Sequence, residues 1–231
     1  MKYLDCPELT QLMIQTNGLE VGDCQLELKM EAYSCKLAGS DKKLCKSLEQ
    51  QFACEMSDSP KLGVSPVGPL SEPGSRRILI NLICTMNACN PDYDFSSVNA
   101  SQLIRENDVY SMMQKVDSFL QPVYLQLGQS FRQQLVDALN AVVNAQECDI
   151  YSFVPDVEDG EHPFSSAGKL WSFNYFLYNR RQKKILFFAC GARSRLSEVF
   201  ESDEEFEGEP WQLDSSSAYE NSPALFGMDI I

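Results

Sequence analysis

A chain of 231 residues can bury one sizeable core without disulfides or metal, so a single domain with loose ends is expected. Nine scattered cysteines with no Cys-x-x-Cys pair, and a single histidine, His162, argue against a zinc centre and for free thiols in a reducing compartment. Asp5 and Glu8 interrupt any secretory signal core, no apolar run nears the roughly 20 residues of a bilayer span, and the net charge of −14 is uneven, with ten acidic residues and no Lys or Arg in 198–231 competing with the four cations at 180–184 for any direct contact with DNA.

Residues 8–15 can form a short helix closed by Asn17-Gly18, a helix-stop pair. The period then changes to two. Cys24, Leu26, Leu28, Met30 and Ala32 alternate with Gln25, Glu27, Lys29 and Glu31, which marks a strand with one dry and one wet face. Ser40-Asp41 can cap a helix through about Cys54, with Leu44, Leu48 and Phe52 along one side. Residues 55–75 interleave four prolines and three glycines with serines and read as a flexible linker. Leu79, Leu82, Ile83 and Met86 share a helical stripe, and two more helices are expected at about 104–120 and 128–146. Cys148-Asp-Ile-Tyr-Ser-Phe-Val154 returns to period two, and Pro155 stops it.

The most unusual stretch follows. Trp171, Phe173, Tyr175 and Leu177 fall on one face of a strand, while Phe176 and Tyr178 make the second half of the other face apolar. A polar turn then leads to Ile185-Leu-Phe-Phe-Ala-Cys190, and Asn179 suits the left-handed conformation of tight turns, so the pair reads as an antiparallel hairpin with a cationic tip. The expected fold is mixed, α/β of the α+β kind: a single domain with a largely antiparallel sheet of four to five strands, covered by helices on both faces, with residues 1–4 as a possible edge strand. Residues 1–54 and 76–197 are the two parts of that domain, joined by the 55–75 linker. Residues 198–231 hold ten of the acidic residues and no Lys or Arg, and are expected to form a disordered tail that solubilises the chain or competes for basic surfaces, its own hairpin tip included.

Pro91-Asp-Tyr-Asp-Phe-Ser96 is the second unusual block. Asp92 and Asp94 could hold a divalent cation in a metal-dependent phosphotransfer enzyme, but no lysine follows on the next residues to complete such a site. The alternative is a turn in which Asp94 or Ser96 accepts backbone hydrogen bonds while Tyr93 and Phe95 pin it to the core. His162 could act as a base, yet no nucleophile stands beside it in sequence.

Together with Tyr33-Ser-Cys-Lys36 and Glu147-Cys-Asp-Ile-Tyr-Ser152, the 91–96 block and the aromatic hairpin with its basic turn resemble the Maf-type repressors of RNA polymerase III, in order, over roughly residues 1–193. The linker is short where many members carry a long insertion, and the tail does not align. The resemblance implies a non-enzymatic regulator without cofactor or metal that binds RNA polymerase III near its clamp and winged-helix subunits, hinders recruitment by TFIIIB, and also binds the Brf subunit of that factor. It implies control by protein kinases and phosphatases, including nutrient (TOR) signalling, with shuttling between nucleus and cytoplasm and effects on tRNA synthesis. A monomer is expected, with no membrane contact and no sequence-specific nucleic-acid binding. Asp92, Tyr93, Asp94, Phe95 and Ser96, with exposed parts of the hairpin, are the candidate partner surface.

Phosphorylation needs accessible serine. Ser57, Ser59, Ser65, Ser71 and Ser75 lie in the linker, two of them before proline; Ser47 follows Lys42, Lys43 and Lys46; Ser194 and Ser197 lie near Arg193 and Arg195; Ser202 precedes three acidic residues. Arg180, Arg181, Lys183 and Lys184 are a candidate nuclear import signal, although a hairpin tip is curved where an import receptor needs extended chain. An acidic adaptor acting on another assembly is the rival non-enzymatic class.

Overall fold

The alternation of the first long strand sets the frame. In a computed structural model, which describes residues 1–37, 39–58, 65–155, 163–164 and 169–195, that strand is β3 (Cys24–Ser34), and Leu26, Leu28, Met30 and Ala32 are all buried along it. It follows β1 (Lys2–Leu4), helix α1 (Pro7–Thr16) and a two-residue strand β2 (Glu20–Val21). Next come α2 (Gly39–Asp58), α3 (Pro73–Cys89), β4 (Leu103–Glu106), α4 (Val109–Leu127), α5 (Gln129–Val143) and β5 (Asp149–Phe153). The hairpin β6 (Lys169–Asn179) and β7 (Lys184–Ser194) ends the described chain.

These strands form one antiparallel sheet in the order β1-β3-β7-β6-β5-β4, with β2 also paired to β3. One face packs Leu28, Met30, Phe173, Tyr175, Leu186 and Phe188 against α1, α4 and α5; the other packs Tyr33, Phe153, Phe176, Ile185 and Phe187 against α2 and α3. Neighbouring residues of β7 therefore serve different cores. That two-sided burial is why β6 and β7 read as near-continuous apolar runs rather than clean alternations. Asn81, the polar interruption in α3, donates from Nδ2 to the Tyr178 hydroxyl at 2.9 Å and so ties that helix to β6.

Four expectations shift. Among the described residues the sheet has seven strands, because β2 is too short to show a period and residues 104–106, expected in a helix, are strand. Asp108 explains the displaced helix: its carboxylate accepts the Ser111 N–H at 2.7 Å, capping α4 so that it starts at Val109. Helix α2 runs four residues into the 55–75 linker. Within the remainder, Val67 and Leu70 are buried, Arg76 donates to the Leu70 and Ser71 carbonyls and to Glu49, and α3 begins at Pro73. Residues 65–75 are thus built into the second core rather than left as a connector. The fourth shift is in the turn: Lys183, not Asn179, takes the left-handed conformation, with φ of 53°. Residues 59–64 and the acidic 198–231 segment lie outside the described residues.

Candidate partner-binding surface

The 92–96 loop leaves α3 just past its C-cap. Tyr93 N–H donates to Asn90 C=O, and Asp94 Oδ1 accepts both the Ser96 N–H at 2.9 Å and the Ser96 hydroxyl at 2.5 Å. Phe95 is 2 % exposed, its N–H bonded to Asn87 Oδ1 and its ring edge-on to Phe153 and Phe164. The consequence is a rigid loop whose core anchor is Phe95 and whose outward groups are Asp92, Tyr93 and Asp94, all exposed. Tyr93, expected to help pin the loop, is 43 % exposed and leans on Phe95, 6.4 Å between centroids.

The two Ser96 bonds stabilise the charged form of Asp94 and lower its pKa from 3.8. Since the folded value lies below the unfolded one, the loop gains stability above the unfolded value and loses it as pH falls through the folded one. An NMR pH titration of the Ser96 amide should therefore show a midpoint below 3.8, and Ser96→Ala should move it back up.

The hairpin tip is less available than its charge suggests. Arg180 Nε lies 2.6 Å from Asp149 Oδ2, Arg105 Nη2 lies 2.6 Å from Asp149 Oδ1, and Arg181 Nη1 lies 3.1 Å from Glu147. Lys184 Nζ donates to Val142 C=O, and the Lys183 carbonyl accepts the Cys35 N–H. The import-signal candidates thus sit in a closed turn, three of the four bound to their own domain through the side chain. Sequence reasoning missed Arg105, Glu147 and Asp149; the acidic pair opening β5 was the available signal, legible only once β5 is known to flank the hairpin. The turn and the 92–96 loop do not form one site: Asp149 and Phe153, which mark their positions on β5, are four residues and about 13 Å apart.

Of the candidate serines, Ser47 is exposed on α2 and Ser71 is exposed in the loop before α3. Ser65 is half-buried and donates to Gly68 C=O. Ser75 is 5 % exposed in the first turn of α3, so a kinase cannot reach it as placed; Gly68, with φ of 98°, packs so closely that an added Cβ would lie 2.6 Å from the Ser75 hydroxyl. Ser194 is half-buried at the end of β7. Ser57 falls within α2, while Ser59, Ser197, Ser202 and His162 lie outside the described residues.

Burial pushes the thiols of Cys84, Cys148 and Cys190 up to about 12, far from reactive at neutral pH. Among the described residues no three His, Cys, Asp or Glu side chains converge to hold a metal ion.

The geometry is that of a mixed α/β domain with two buried cores and its exposed chemistry on loops. The same fold occurs in crystal structures of citrus MAF1, one of which matches with a TM-score of 0.65 at 32 % identity, covering 81 % of this chain and 99 % of that one. The "Maf1 regulator" family model matches residues 26–189. A Dictyostelium discoideum protein named "Repressor of RNA polymerase III transcription" is 32 % identical over 242 residues, 85 % of this chain and 86 % of the relative. A Schizosaccharomyces pombe repressor of the same description is 31 % identical, covering 81 % of each. The chain belongs to the Maf1 regulator family, a family of transcriptional repressors and not of enzymes. That membership overturns the phosphotransfer reading of Asp92 and Asp94, and the serine bonds give Asp94 a structural use instead.

Proposed function

We propose that this chain represses RNA polymerase III transcription by docking on the polymerase through the surface around residues 92–96 and the exposed flank of the hairpin. Membership in a family whose relatives carry that repressor name is the observation that carries the reading. The loop geometry supports the docking surface, because Asp92, Tyr93 and Asp94 are held outward on a framework that Phe95 locks in place, so little conformational freedom is lost on binding. Polymerase surfaces that handle DNA are basic, and two exposed carboxylates beside an aromatic ring suit a basic, aromatic-accepting patch.

Docking beside the clamp and winged-helix subunits obstructs TFIIIB-dependent recruitment, and the Brf subunit is a second partner. Kinases and phosphatases control the interaction and the distribution between nucleus and cytoplasm. Ser47 and Ser71, exposed on well-placed elements, are the described serines best suited to them.

In a competition assay on a tRNA gene, saturating dephosphorylated protein should block TFIIIB-dependent recruitment of purified polymerase. Asp92→Ala with Asp94→Ala should weaken polymerase binding about tenfold or more while leaving the fold intact. Raising ionic strength from about 0.1 M to about 1 M shortens the screening length from about 10 Å to about 3 Å and should weaken binding of the unsubstituted protein as well. Undisturbed recruitment at saturation would end this reading.

A further inference from the structure

Among the described residues one end of the sheet carries no further strand. Val154 N–H donates to Gln102 C=O at 2.8 Å, which sets the bonded pairs of β4 and β5 at 102–154, 104–152 and 106–150 and turns the backbone of Leu103 and Arg105 away from β5. The Leu103 N–H is taken by Ala100 C=O. Among the described residues no strand meets the Leu103 carbonyl or the Arg105 N–H and C=O, since β4 is the last strand of the sheet. Exposed edges of this kind pair readily with any extended chain, and folded proteins commonly cover or charge them.

The two faces beside this edge differ. Ile104 and Val154 are each 50 % exposed on one face. Arg105 lies on the other, where it and Arg180 hold Asp149 between them through one close contact each and keep about half of each side chain in solvent. Arg181 and Lys183 stand near the same end of the hairpin, so cations exceed the two acidic partners, Asp149 and Glu147. An extended segment suited to this edge alternates an apolar residue with carboxylates.

The chain carries such a segment. Residues 204–208 read Glu-Glu-Phe-Glu-Gly, and Phe206 is the one aromatic residue within the acidic run 201–209. We propose that this segment adds to the sheet as a further strand on the outer edge of β4, with Phe206 beside Ile104 and with Glu205 and Glu207 on the Arg105 side. Strand alternation delivers that division automatically, because side chains one residue apart point to opposite faces.

Reach permits it. From the end of β7 to a strand outside β4 in the row of Arg105 the path crosses four strand spacings, about 19 Å, and runs seven residues along the strand, about 23 Å, a diagonal of about 30 Å. Ten residue steps lead from Arg195 to Glu205 and can span about 34 Å when extended. Attachment in cis gives the segment an effective concentration in the millimolar range, ahead of any dilute acidic competitor. The docked segment covers the edge and screens Arg105 and Arg180 from phosphates.

The test uses the full chain. Hydrogen exchange followed by NMR should show the Arg105 amide exchanging at least tenfold more slowly than in a Glu205→Lys, Glu207→Lys variant, whose changes lie outside the folded sheet and leave it intact. Equal rates in the two chains overturn the proposal, as does protection that grows with protein concentration, the sign of a second copy on the edge. A photo-reactive phenylalanine analogue at position 206 should crosslink within one chain to residues 103–106 or 154. Adducts spread over the surface, formed only between chains, or undiminished by Arg105→Glu would overturn it equally.

Discussion

Truncating Phe188 to alanine should cost about 3–5 kcal/mol of folding stability, and truncating Phe187 a similar amount. Each ring is at most 1 % exposed on the central strand β7. Phe188 meets Phe173 edge-on at 5.2 Å in the core under α1, α4 and α5, and Phe187 meets Phe176 at 5.0 Å and Phe164 at 6.0 Å in the core under α2 and α3. Although adjacent in sequence, the two side chains belong to separate cores, and among the described residues their ring partners differ. Their costs should therefore add to within about 0.5 kcal/mol, where neighbours in one cavity would couple. Against a domain stability of about 5–15 kcal/mol that sum removes most of the margin, so the double variant should unfold at the lowest urea concentrations. Urea unfolding followed by circular dichroism reads both results. A double variant clearly more stable than the sum predicts would mean that the two layers form one continuous core.

The layered plan was legible because the strongest signals are periodic. The dry face of β3, the stripe of α5 and the aromatic run of β6 each stand out over several turns or pleats, and each is where it was expected. What stayed hidden depends on contacts between distant segments. Residues 103–106 carry too short a pattern to separate strand from helix, and only pairing with β5 decides the matter. The two prolines and the glycine of 65–72 announce a loop but not that Val67 and Leu70 anchor it, since two isolated apolar residues have no period. At the candidate surface, the Asx-type turn of Asp94 was readable from local chemistry. Local chemistry could not give the neutralisation of Arg180 and Arg181, because their acidic partners come from the segment leading into β5, more than thirty residues earlier.

Asn179 is the residue on which the hairpin tip depends, and Asn179→Ala should cost about 2–4 kcal/mol. Its side chain is fully buried; Nδ2 donates to Val143 C=O at 2.8 Å and Oδ1 accepts the Gln182 N–H at 2.9 Å. The first bond satisfies a carbonyl at the end of α5, where the helix itself supplies no donor. The second fixes the turn. Alanine leaves both backbone groups without that partner, and Asn179→Asp should be worse at neutral pH, because it replaces the donor with a negative charge facing a carbonyl oxygen. Lys183→Gly offers the contrast: with φ of 53° it relieves a left-handed conformation costing about 1–2 kcal/mol, offset in part by the extra freedom glycine gives the unfolded chain. That single change should be neutral or stabilising by up to about 1 kcal/mol, yet added to Asn179→Ala it should restore only that amount, since it returns neither hydrogen bond. Urea midpoints of the three variants separate these terms. Full rescue by glycine would mean that backbone strain, not the Asn179 side chain, governs how the tip holds Arg180 against Asp149.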